Sequence, residues 1–221
     1  MLQSNPSPKG TGIEIWGDYG DLAGLHQTIH KIGNRLNEYD NKFKGQSDII
    51  MSLAYEVRKS FEGSRLREQF SFDSDNRVEY FGFQYLWTDL LFAVSVLRLN
   101  AGYVTMDELD QANLYILEYN LKSSLTAYDP KGAETLKLFI GQRINVHDPL
   151  IFLILQGINF EYLSQKPSKT RFRNIPNLIV EYTSFFSETH KLWRKDLEKS
   201  AKQLGCDVLD IEYGEYPDFE F

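Results

Sequence analysis

A chain of 221 residues is long enough to bury a full core, and 42% hydrophobic with 25% charged residues excludes a disordered or low-complexity polypeptide. A formal net charge of -7 sets the overall field against nucleic acid and anionic lipid, and the longest apolar run, 149–155, is far too short to span a bilayer. The single cysteine, Cys206, excludes an intrachain disulfide and suits a reducing compartment. The opening MLQSNPSPKG lacks the apolar stretch of a secretory signal, so a cytoplasmic protein with no membrane partner is expected.

Residues 1–10 are polar, carry two prolines and read as a flexible lead-in to a single globular domain, 11–221. Thr11 to Trp16 alternates, with Ile13 and Ile15 on one face, and predicts a strand. Gly17 to Gly20 is a turn. Asp21 then caps a helix whose Leu22, Leu25, Ile29, Ile32 and Leu36 share a face. A polar loop is expected over 37–45, followed by a helix capped at Ser47 or Asp48 that ends near Phe61 before Gly63.

Alternation on both sides of 73–76 predicts a hairpin within 68–84. Thr88 caps a helix, Leu90–Leu99, that is apolar nearly all round and therefore central. Thr105 and Glu108 form a capping box for a helix to about Ala127, with Leu109 and Leu117 among its inward residues. Pro130 opens a short helix, and Asp148-Pro149 starts another over Leu150–Leu163. Residues 165–174 read as a basic loop. Pro176 then opens one long helix to Leu204, with Phe186, His190, Trp193 and Leu197 in its stripe and Gly205 as its stop. Val208–Tyr213 alternates and is expected to pair with 12–16, bringing the chain ends together. The fold expected is α+β, mainly α, with about seven helices and a small antiparallel sheet that includes N- and C-terminal strands.

Five groups of residues bear on chemistry. The GDYGD turn stands where nucleotide loops stand, but Gly17, Gly20 and Gly24 have the wrong spacing and its aspartates repel phosphate, so it reads as a turn with an acidic cap. His26 and His30 lie one helical turn apart, the spacing of two metal ligands. Gln27 occupies the position of the glutamate base in the zinc-protease pattern. Lys166, Lys169, Arg171 and Arg173, with Phe172 among them, are candidates for phosphate or nucleic-acid contact, against a solvated loop or a dock for the acidic C-terminal segment. Glu118 and Glu161 sit inside apolar helices; solvent-facing placement is expected over a buried acid. Cys206, His147 and His190 assemble no triad, and His190 reads as a hydrogen-bonded core histidine. No catalytic residue and no cofactor is assigned.

The run GIEIWGDYGDLAGL from Gly12, followed by a histidine-containing helix to Ile32, resembles the start of a bacterial domain family of unknown function, as does Tyr85 to Phe92. That resemblance implies a cytoplasmic, single-domain protein of about this length and supplies no catalytic residues. The functional expectation is a non-enzymatic protein-interaction or regulatory domain that binds another protein or itself through its Tyr- and Phe-rich surface. The alternative is a metal-dependent hydrolase or nucleic-acid-processing enzyme that uses His26, His30 or the Arg171/Arg173 segment. A cleft bringing a carboxylate to the two histidines would favour the enzyme; a flat apolar patch would favour the interaction domain.

Overall fold

The computed structural model describes residues 1–36, 40–71 and 77–221. The protein is mainly helical, with one small antiparallel sheet. Strand β1 (Gln3–Pro6), β2 (Gly12–Gly17), β3 (Leu66–Ser71) and β4 (Arg77–Leu86) are arranged β1-β2-β4-β3. The hairpin expected within 68–84 is formed by β3 and β4, while its turn at 73–76 lies outside the described residues. The alternation of β2 buries Ile13 and Ile15, which stand opposite Tyr85 and Phe83 of β4. Gly82 faces Trp16; a Cβ there would come within 2.6 Å of the indole ring, so the strand accepts glycine to let the ring lie flat on its backbone.

Two terminal expectations are corrected. Residues 3–6 are not a flexible lead-in: they pair with β2, Ser4 opposite Ile15. With β1 on one side of β2 and β4 on the other, no edge of β2 remains for the C-terminal segment. Val208–Asp210 is accordingly a 3-10 turn rather than a strand, and residues 211–221 run on without ladder bonds. The ends still meet. Lys9 N–H donates to the Phe221 carbonyl at 3.0 Å, and the Thr11 hydroxyl donates to the Glu220 carbonyl at 2.6 Å.

Eight α-helices are present among the described residues. Helix α1 (Tyr19–Gly33) is capped by Asp18, with Asp21 completing a reciprocal box. Asp21 is thus the third helical residue rather than the cap. Helix α2 (Asn41–Phe61) starts at Asp40, well before the expected Ser47 or Asp48, and absorbs the part of the expected 37–45 loop that is described. Gly45 explains the difference. A Cβ there would lie 2.8 Å from the Pro149 carbonyl, so this glycine serves a close helix contact instead of a break.

Helix α3 (Trp87–Ala101) leaves β4 directly, without a side-chain cap, and is buried on nearly every side, as the pattern of 90–99 predicts. Helix α4 (Glu108–Tyr128) is capped by Asp107 and Asp110, not by Thr105, and this start leaves Leu109 66% exposed rather than inward. Helix α5 (Pro130–Leu136) follows the expected proline, and α6 (Ile151–Ser164) lies within a residue of expectation.

The long final helix is two. Ser168 caps α7 (Lys169–Thr183), which carries Pro176 buried in its interior; after a turn, Ser187 caps α8 (Glu188–Leu204). Most of the expected basic loop is therefore the first turns of α7. Phe186 falls in the corner between the two helices and is 89% exposed instead of joining a stripe. One connected core joins β2, β4 and helices α1 to α7, from Leu2 to Ile179.

Thr11 couples the two termini to this core. Its hydroxyl accepts from Arg171 at 2.9 Å while donating to Glu220, and its carbonyl accepts from Tyr162 Oη–H at 3.1 Å. Thr11→Val keeps the shape and removes the hydroxyl. It is expected to destabilise the fold by about 2–3 kcal/mol, because a buried guanidinium loses one of its two hydrogen-bond partners. Urea unfolding checks the energy, and limited proteolysis should show faster loss of residues 211–221; an unchanged midpoint would refute the role.

Candidate functional site

A cleft of about 670 Å³ opens between α2, the β4–α3 junction, α6 and the C-terminal segment. Helical spacing brings one face of α2 to it through Asp48, Ser52, Tyr55 and Glu56, and one face of α6 through Phe152, Gln156 and Asn159. Tyr85 closes β4, and Asp89 lies one turn into α3, so the loopless junction points both into the same space. Tyr216 supplies the remaining wall. A second arm of about 330 Å³ shares Glu56, Tyr85, Asp89 and Tyr216, and continues to Arg65, Phe219 and Phe221.

The polar floor is ordered by Asn159, which is buried in α6. Its Oδ1 accepts from the Thr88 hydroxyl, and this fixes the amide so that Nδ2 donates to Asp89 at 2.6 Å. The helix start favours an ionised Asp89, yet burial dominates and pushes its carboxyl up to about 6, with the Asn159 bond pulling the other way. Burial, and then the charge of Asp89, push Tyr216 up to about 12 and hold Tyr85 well above the usual phenol range. Both phenols therefore stay protonated at neutral pH, while Asp89 titrates close to it.

At the rim, Glu56 receives a two-pronged bond from Arg65, at 2.7 and 3.0 Å. Gln156 Oε1 is buried without a hydrogen-bond partner among the described residues.

The residues singled out from sequence lie elsewhere. His26 and His30 do meet, with their Nε2 atoms 3.1 Å apart, on the side of α1 that touches Phe61. Burial, then His30 and Arg58, lower the pKa of His26, while Glu62 opposes. Among the described residues no group of three or more His, Cys, Asp or Glu is placed to hold a metal ion.

The four basic residues do not form one open surface. Arg171 is 2% exposed, stacked 4.3 Å from the Tyr162 ring centre and bonded to the Gln165 carbonyl and Thr11. Arg173 grips the buried Asp129 with two bonds, at 2.6 and 2.9 Å. Lys166 and Lys169 are exposed. Glu118 is corrected: it is buried and paired with Arg98 rather than solvent-facing. Glu161 accepts from the Tyr182 hydroxyl at 3.0 Å. His190 is the core histidine expected, its Nδ1 2.7 Å from the Tyr182 carbonyl.

A family model described as a domain of unknown function (DUF6904) matches residues 2–221. The chain belongs to the DUF6904 family. The match spans nearly the whole chain, where the resemblance seen in the sequence rested on Gly12–Ile32 and Tyr85–Phe92. No curated protein and no solved structure matches the DUF6904 chain. No helix among its described residues is long and apolar enough to cross a membrane.

Sequence reasoning treated Asp89 only as a first-turn acid and passed over Asn159, Gln156 and Tyr216. The available signal was Gln156 and Asn159 on an otherwise apolar helix, where a polar residue requires a partner.

The raised carboxyl of Asp89 makes a signed prediction. The unfolded chain ionises it near 3.8 and the folded DUF6904 protein near 6. Its ionisation therefore destabilises the fold above pH 6, and that penalty fades to nothing as the pH falls below 4. Asp89→Asn keeps the acceptor for Asn159. It should stabilise the empty protein by about 1–3 kcal/mol at pH 7.5, with the gain vanishing near pH 4. Chemical denaturation at the two pH values measures this; a variant less stable at pH 7.5 would contradict the assignment.

Proposed function

We propose that this DUF6904 protein is a non-enzymatic regulatory domain that binds a small organic molecule in the cleft over Asp89, and thereby governs an interaction with a protein partner. The observation that carries the reading is the cleft itself: a few convergent polar groups, one with a strongly shifted pKa, set in apolar and aromatic walls. The regulatory part is supported by the C-terminal segment. Tyr216, Phe219 and Phe221 line the two arms, so a ligand would press on the same segment that carries the acids of 205–221.

Arg171 and Arg173, already engaged by internal partners, weigh against nucleic acid as that partner. Cys206 as the lone cysteine supports a reducing compartment. The continuous core from Leu2 to Ile179 supports one folding unit. The hydrolase alternative draws on the 3.1 Å spacing of His26 and His30, which suits two ligands of one ion, and it requires a third.

A screen of neutral aromatic fragments by protein-observed NMR tests the cleft. Hits should compete with one another and shift the signals of Asn159 and Tyr216. Ser52→Phe fills the cleft from α2 without touching the Asp89–Asn159 pair, and it should reduce hit affinity about tenfold or more. Hits unaffected by Ser52→Phe, or no hits at millimolar concentration, would sink the reading.

A further inference from the structure

The charge lining the cleft and its second arm is lopsided, and the imbalance identifies a ligand class. Asn159 gives an amide hydrogen to Asp89. Ser52 donates to the Asp48 backbone carbonyl at 2.8 Å. Arg65, at the head of the second arm, has its Nε and one terminal nitrogen on the two oxygens of Glu56.

The carboxylates outnumber that base. Asp89 receives one bond from Asn159, and a carboxylate has room for several. Gln156 Oε1 receives none among the described residues. Asp48 and Glu56 add negative charge to the wall. An anionic ligand would meet three carboxylates, with the nearest base already paired. A ligand carrying several N–H donors and a positive charge would instead satisfy the unfilled acceptors.

The walls favour the same class. Phe152, Tyr85 and Tyr216 offer aromatic surface to an apolar body and to a cation. Tyr55 displays that affinity within the protein: the cationic groups of Arg58, Lys59 and Arg65 lie 5.5, 5.8 and 5.9 Å from its ring centre.

We propose that the cleft takes an organic cation, its ammonium or guanidinium group bonded to the Asp89 carboxylate and its apolar body against Phe152, Tyr85 and Tyr216. This inference rests on the reading of the cleft as a ligand site and adds the chemistry of the ligand. Asp89 must be ionised to bind the cation, so affinity falls as the pH drops through 6, and binding at that pH displaces a proton from Asp89. The other titratable groups lining the cleft and its second arm are Asp48, Tyr55, Glu56, Arg65, Tyr85 and Tyr216, and Tyr85 and Tyr216 remain neutral over this range.

The test compares 2-phenylethylamine with its neutral counterpart 2-phenylethanol by isothermal titration on the full chain, at pH 7.5 and pH 5. The amine should bind about tenfold or more tightly than the alcohol at pH 7.5 and lose that advantage at pH 5. Asp89→Asn should weaken the amine by a similar factor and leave the alcohol within about twofold. Melting curves establish that this variant folds. Equal binding of amine and alcohol, or an amine indifferent to Asp89→Asn, overturns the cation class. If Ser52→Phe still blocks both probes in that case, the cleft stands as a ligand site. No amine binding at millimolar concentration also overturns the cation class, and the neutral-fragment screen then decides the cleft separately.

Discussion

The charge of Arg171 is buried, and much of the molecule is arranged to make that tolerable. A guanidinium withdrawn from water destabilises a fold unless its donors and its face are matched. Its face lies on the ring of Tyr162 and its two terminal nitrogens donate to the Gln165 carbonyl and the hydroxyl of Thr11, while Nε has no partner among the described residues. Thr11 in turn holds Glu220, and Trp87 Nε1–H donates to the neighbouring Gly10 carbonyl at 3.0 Å. A single buried cation thereby fixes the N-terminal loop, the start of α3, α6, α7 and the C-terminal segment relative to one another. The segment that walls the cleft is anchored at its far end by this junction.

The cleft depends on that arrangement in a second way. Thr88 is not the cap expected from the sequence: it is the second residue of α3, the cap position falls on Leu86, and the Thr88 hydroxyl turns to Asn159 and sets the amide that holds Asp89. Asp89 is then kept in an environment that disfavours its charge, although its place near the start of α3 favours it. Such an override of a local preference concentrates where a site is built.

Much of the helical architecture was legible in the sequence because long amphipathic runs and Pro or Gly signals dominate it. The central α3, the Pro130 start and the Gly205 stop follow from residues alone. What was illegible involves competition between distant segments. Nothing in QSNP announces a strand; it becomes one because β2 offers it an edge, and the better-patterned 208–213 is then excluded. Gly45 reads as a break until the Pro149 carbonyl is seen against it. Pro176 reads as a helix start, yet it lies buried in the interior of α7, whose start is set by Ser168 instead. Legibility of the candidate site was lower still. The spacing of His26 and His30 gave their proximity correctly, but the cleft gathers Asp89, Gln156, Asn159 and Tyr216 from three remote stretches, and periodicity carries no information about such convergence.

The direct passage from β4 into α3 has a consequence for how the cleft could operate. Tyr85 and Asp89 belong to two regular elements joined without a connecting loop, and Asn159 belongs to a third, so the floor has few soft dihedrals through which to adapt. The opposite wall is a segment free of ladder bonds and held at a few points, by Lys44 at 209–210, by Trp193 at Tyr213, and by Thr11 and Lys9 at its end. Compliance is thus confined to one side. Discrimination among ligands would reside in the stiff side, and the timing of entry and departure in the pliant one, so evolution could retune residence time along 211–219 while leaving recognition untouched.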